Sequence, residues 1–153
     1  MKLHCRIERT IDVSAEKLCE RIFDTENWKT FEGWGLIPGI DSARYVLKTS
    51  NWVGSRIEVK NRDKTTHIEE ITEYVSGKSL TIKLHEFSLP VKALVTHFIE
   101  RWTFFSEPSG KTRVIREMDI FPAHSIASPL LWVVSRLLKR ALENHLEKLA
   151  GIK

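Results

Sequence analysis

SPLLWVVSRLLKRALENHLEKLAG, residues 128–151, is the stretch on which the fold turns. Leu130, Leu131, Val134, Leu137, Leu138, Ala141, Leu142, Leu146 and Leu149 recur at the spacing of one helix face, while Arg136, Lys139, Arg140, Glu143 and Glu147 take the other. Ser128 offers an N-cap hydroxyl, Pro129 suits the first helical position, and Gly151 can end the helix. A long helix with one leucine stripe needs an apolar surface to lie on. The residues before it must supply that surface.

They do so as strands. Leu3, Cys5, Ile7, Ile11 and Val13 share one parity and His4, Arg6, Glu8, Thr10 and Asp12 the other, with Arg9 the misfit on the apolar side. Ser14 then caps a short helix carrying Leu18, Cys19 and Ile22 and ending near Asp24, and Asn27 offers a second cap. Further strands are predicted through DSARYVLK (41–48), SRIEVKN (55–61), THIEEITEYV (66–75), SLTIKLHEF (79–87), ALVTHFIERWTFF (93–105) and TRVIREMDIF (112–121). Short breaks at Gly54, RDK, SGK, LPVK and EPSGK imply an antiparallel meander. The apolar parity shifts between Ile68 and Ile71, which predicts a bulge there. The plan is α+β: a strongly curved antiparallel sheet of about seven strands wrapped around the long C-terminal helix, with short helices between the first two strands. Such a wrap leaves space between helix and sheet.

At 153 residues the chain suits one domain, 1–153. A net charge of +4 without a run of five like charges gives no nucleic-acid footprint. Cys5 and Cys19, without CxxC spacing, read as free and buried. The start of the chain is no signal peptide and no apolar run is long enough to span a bilayer, so a cytoplasmic protein is expected. Six histidines in no HxxxH or HExxH arrangement predict no metal site, and no cofactor motif is present: GxSxG, GxGxxG and the phosphate loop are all missing.

The order of elements, IDVSAEKLCERIFDTENWKTF (11–31), IPGI (37–40) and ERWTFFSEPSGKTRVIREMDI (100–120) together resemble the START-like, helix-grip superfamily, and within it the polyketide cyclase/dehydrase and lipid-transport group. The resemblance covers essentially the whole chain. It implies a cavity for a hydrophobic ligand, but the group includes cyclases, carriers, hydrolases, receptors and chaperone activators, so it does not fix an activity. Three classes of function stand: binding, transport or sequestration of a lipid, isoprenoid, quinone or polyketide; a cyclase or dehydratase; and a protein-interaction module. No sequence signal fixes the oligomeric state.

Within the last predicted hairpin, a turn centred on residues 106–110 sets Phe104 opposite Thr112, Trp102 opposite Val114, Glu100 opposite Arg116 and Phe98 opposite Met118, all on the parity expected to face the helix. Glu100 and Arg116 are either a buried ion pair that satisfies itself or a polar anchor, Arg116 for a carboxylate or enolate oxygen and Glu100 as base; they are the only catalytic candidates. Arg9 is a further inward candidate. NWKTFEGWGLIPGID (27–41) has too much aromatic surface for an ordinary loop. In a helix-grip arrangement it closes the cavity mouth, making Trp28, Phe31, Trp34, Leu36 and Ile37 ligand contacts beside Phe98, Glu100, Trp102, Phe104, Val114, Arg116, Met118, Val134 and Leu138. PLLWVV is apolar nearly all round, so Trp132 and Val133 either pack under the sheet rim or form an edge for transient membrane contact beside Arg136, Lys139 and Arg140.

Overall fold

In the computed structural model, which describes residues 2–152, the opening alternation forms β1 (Leu3–Ile11) and Ser14 starts α1 (Ala15–Phe23). The Ser14 hydroxyl accepts a hydrogen bond from the Lys17 amide at 3.2 Å, an arrangement worth about 1 kcal/mol. Asp24 then performs two tasks. Its amide closes α1 on the Glu20 carbonyl, and its carboxylate accepts from the Glu26 amide at 3.1 Å to start a 3-10 turn, Thr25–Thr30. Asp24 therefore replaces Asn27 as the second cap, and Asn27 instead donates its side-chain amide to the Arg21 carbonyl.

Six further strands follow: β2 (Ile40–Leu47), β3 (Arg56–Asn61), β4 (Thr66–Val75), β5 (Ser79–His85), β6 (Val95–Ser106) and β7 (Thr112–Pro122). All seven pair antiparallel in the order β1-β7-β6-β5-β4-β3-β2, so the meander is continuous except that β1 joins its far end beside β7. The sheet curves around α2 (Ser128–Ala150). Helix α2 buries Leu131, Leu138, Leu142, Leu146 and Leu149, each contributing roughly 1.5–3 kcal/mol of apolar burial. Arg21 reaches across from α1 and donates to the Leu149 and Ala150 carbonyls at 2.8 and 3.1 Å, satisfying the end of α2 with a favourable charge. Among the described residues no helix is long and apolar enough to cross a membrane. Cys5 and Cys19 are free and buried, and burial pushes both thiols up to about 11.

Several local expectations are corrected. The β4 irregularity lies between Ile71 and Glu73. No bulge separates Ile68 from Ile71, because Ile68 simply lies on the outer face while His67, Glu69 and Ile71 are buried. Ser128 does not cap α2: a 3-10 turn, Ser125–Ala127, leads into the helix, and the buried Ser128 hydroxyl has no hydrogen-bond partner among the described residues. Leu130 is off the buried stripe at 45% exposure. Arg9 stays at the rim, half-exposed and paired with Glu143 and Glu147 of α2 at 3.3 and 3.2 Å, since surface carboxylates neutralise it more cheaply than the interior would.

The last hairpin keeps its predicted parity but slips by one pair. The connecting loop is centred on Ser109, where the Glu107 carbonyl accepts from the Gly110 amide and the Glu107 amide donates to the Lys111 carbonyl. Ser106 therefore faces Thr112, Trp102 faces Arg116 and Glu100 faces Met118. Glu100 and Arg116 become diagonal neighbours on the inner face, a separation that long side chains span.

Candidate functional site

The segment between α1 and β2 folds back as a tight hairpin. Trp34 and Ile37 exchange backbone hydrogen bonds at 3.0 and 2.9 Å, and the Ile40 amide returns to the Phe31 carbonyl at 2.8 Å. Gly33 makes the bend possible: its φ is +75°, and a Cβ there would lie 2.1 Å from the Ile37 carbonyl oxygen. The hairpin is tied to α2 by the Glu32–Lys148 ion pair. Trp28 anchors its root by donating its indole N–H to the Ile22 carbonyl at 2.7 Å.

Beneath this hairpin, between the sheet and α2, lies a cavity of about 290 Å³. Trp28, Phe31, Leu36 and Ile37 close it from the hairpin side, and Val134 and Leu138 from α2. Phe98, Glu100, Trp102, Arg116 and Met118 form its sheet wall. Three sequence-predicted contacts stand apart from this lining. Trp34 is 46% exposed at the outside of the hairpin, and Phe104 and Val114 are buried in the close-packed core toward the β6–β7 turn.

The sheet wall holds a polar cluster. Arg116 donates from Nε and Nη2 to one oxygen, Oε2 of Glu100, at 2.8 and 2.7 Å. Its Nη1 lies 3.0 Å from Nδ1 of His145 on α2, and its guanidinium carbon sits 4.1 Å above the centre of the Trp102 ring. On β4, Nε2 of His67 meets Oε2 of Glu69 at 3.0 Å, and both residues line the same cavity. His67, Glu69 and His145 escape the hydrophobic pattern because they are polar residues on apolar faces. Position was their signal: Glu69 shares the parity of Ile71, and His145 falls in register with Leu138, Leu142 and Leu149.

Burial drives the ionisation of this cluster. It lifts Glu100 above the ordinary carboxylate range; Arg116 opposes the rise and Glu69 adds to it. Burial, then the nearby charges of Arg116 and Lys148, hold His145 well below the usual histidine value, so it is neutral. The unfolded chain protonates this histidine below about pH 6.5 whereas the folded protein does not, so its contribution is present above that pH and lost as the pH falls through it. His145→Phe should accordingly reduce the loss of stability between pH 7 and pH 5, a difference of up to about 1.4 kcal/mol per pH unit. Urea midpoints measured across that range test this; equal slopes for the two proteins would show that His145 is protonated inside the fold.

Among the described residues no three metal-ligating side chains converge. The cluster presents hydrogen-bonding groups and a carboxyl of raised pKa at one wall of a mostly apolar space.

A curved antiparallel sheet gripping a long C-terminal helix around such a space defines the helix-grip class. Over residues 2–151 the chain matches the family described as polyketide cyclase/dehydrase and lipid transport, and it belongs to that family. It is similar in fold to the ZhuI aromatase/cyclase of a Streptomyces species at 11% identity and TM-score 0.77, with 99% of this chain and 93% of that one covered. A START superfamily protein from Mycobacterium smegmatis superposes at 13% identity and TM-score 0.71, covering 97% and 94% of the two chains. A protein from Thermus thermophilus does so at 20% and 0.72, covering 97% and 94%. No curated protein matches the chain.

Proposed function

We propose that the protein binds an apolar small molecule, of the lipid, isoprenoid, quinone or polyketide kind, and carries or sequesters it in the cavity between sheet and α2. The observation that carries this reading is the 290 Å³ space itself, walled mainly by apolar side chains and covered by a built hairpin. Close packing normally eliminates voids of that size, and a concave, mostly apolar space is a binding site for an apolar molecule. Trp28 and Trp102 both line it, so titration with farnesol and with menadione, followed by tryptophan emission, reports occupancy. Saturation at one molecule per chain is expected for at least one of them, and unsaturable partitioning of both would contradict the reading.

Loading needs a route, and the surface beside the mouth supports one. Ile126, Leu130, Trp132 and Val133 are all exposed, Leu36 of the cavity lining is exposed at its mouth, and Arg136 stacks over Trp132 at 4.9 Å. Apolar side chains beside basic ones suit a transient visit to an anionic lipid surface. Co-sedimentation with phosphatidylglycerol vesicles, weaker with phosphatidylcholine alone, is the expected result; no binding to either removes this route.

A second reading, turnover of the bound molecule by a cyclase- or dehydratase-type reaction, is favoured by one observation. Glu100 is a buried acid of raised pKa beside Arg116, a pairing able to hold a proton next to a developing oxyanion.

A further inference from the structure

The polar cluster carries more information than the presence of a cavity, because its donors, acceptors and charges can be counted. Arginine has no acceptor, so the contact between Arg116 Nη1 and His145 Nδ1 fixes Nδ1 as the acceptor. In neutral His145 the proton then resides on Nε2, making that atom a donor. His145 Nε2 is buried and has no hydrogen-bond partner among the described residues, although His145 lines the cavity. The ring of Phe31, on the covering hairpin, stands perpendicular to the imidazole with centres 5.4 Å apart. Trp102 Nε1, also a donor only, is a second buried nitrogen without a partner of normal geometry; it leans toward Glu100 without a well-formed bond. Buried donors are seldom left unused, and two on residues that line one cavity call for an acceptor.

The charges restrict what that acceptor can be. The guanidinium of Arg116 is already matched by Glu100. Glu69 is a second buried carboxylate, close enough to raise the pKa of Glu100, and its partner is the imidazole of His67 in place of a guanidinium. Two buried acidic side chains thus share one buried guanidinium. A ligand carboxylate would add a third acidic group beside a guanidinium that Glu100 already engages. An uncharged oxygen meets the unused donors without that penalty.

Resting on the proposal of an apolar ligand, we infer that the cavity is built for a molecule whose buried end is an uncharged oxygen acceptor, a carbonyl of the ketone, ester or quinone type, and that it discriminates against carboxylates of equal size. His145 is the positioning donor, held in its tautomer by Arg116. Arg116 itself serves to neutralise Glu100.

Isothermal titration at pH 7.5 with 2-decanone and with decanoate tests this on the unaltered protein. The ketone is expected to bind about tenfold more tightly or better, the scale of one hydrogen bond gained and one like-charge contact avoided. In His145→Phe the ketone should weaken by about tenfold while decanoate stays as it was. Equal affinity, or a preference for decanoate, overturns the inference and leaves the apolar-ligand proposal standing. A ketone preference that survives His145→Phe also overturns it by removing the donor from the account. Failure of both probes to bind overturns this inference, and the apolar-ligand proposal falls with it only where farnesol and menadione fail to bind as well.

Discussion

Arg116→Met should cost about 3–5 kcal/mol of stability, because it leaves the Glu100 carboxylate buried without its counter-charge. In a chain of this length that corresponds to a fall in Tm of about 10 °C. Glu100 and Arg116 are each only 4% exposed, and both charged donors of the fork converge on one carboxylate oxygen. Without Arg116, Glu100 can escape only by taking a proton, so its folded pKa rises further. A raised folded pKa leaves stability intact below the unfolded value, about 4.3, and removes it as the pH climbs through the folded one. The variant's deficit should therefore be smaller at pH 4.5 than at pH 8. Removing both charges in Glu100→Leu/Arg116→Met should restore most of the lost stability, since a buried pair contributes little over an apolar pair of similar volume. Thermal melts of the single and double variants at the two pH values check this. A single variant as stable as the parent at pH 8 would mean that water reaches Glu100.

Val134→Phe is expected to weaken binding of any cavity ligand by about a hundredfold. Val134 lines the cavity from α2, and a ring there would occupy part of the 290 Å³ that the ligand needs. The fold has less reason to object. Filling empty space regains dispersion contacts, whereas misfit costs about 1–3 kcal/mol, so the change in stability should be small in either direction. Parallel titrations and melts separate the two effects. Unchanged affinity with unchanged stability would place binding elsewhere on the molecule.

The fold was legible because its large elements obey simple periods. The leucine stripe of α2, the hydroxyl cap at Ser14 and the alternation in β5 to β7 correspond to what the backbone does. Departures came where local chemistry was ambiguous. The β6–β7 register depended on placing the centre of a five-residue loop, and the Glu107–Gly110 turn moved it by one residue, which shifts each pair by two. Parity, and with it the inward face, was insensitive to that slip. At the mouth of the cavity the apolar pattern ran past the buried face: Leu130, Trp132 and Val133 continue the hydrophobic run but remain exposed, because none of the described residues covers that side of α2.

The site was half legible for a related reason. Glu100 and Arg116 were visible as charges on an aromatic strand face, and most of the cavity walls followed from their parity. His67 and Glu69 were hidden because β4 places polar residues inward and Ile68 outward, the reverse of the pattern that reveals a core. Polar groups inside a cavity erase the periodicity that would expose them. Trp34 misled in the opposite sense: a tryptophan in a glycine-rich turn suggested a contact with the ligand, yet the hairpin directs Leu36 and Ile37 to the cavity and leaves Trp34 outside.

Whether the cavity binds an apolar molecule is decided by native mass spectrometry of the protein purified from its own host. A population heavier than the chain by the mass of one small molecule is expected, released by organic solvent and much reduced in Val134→Phe. A chain mass without adduct in every preparation, with no uptake of farnesol, menadione or 2-decanone afterwards, would contradict it.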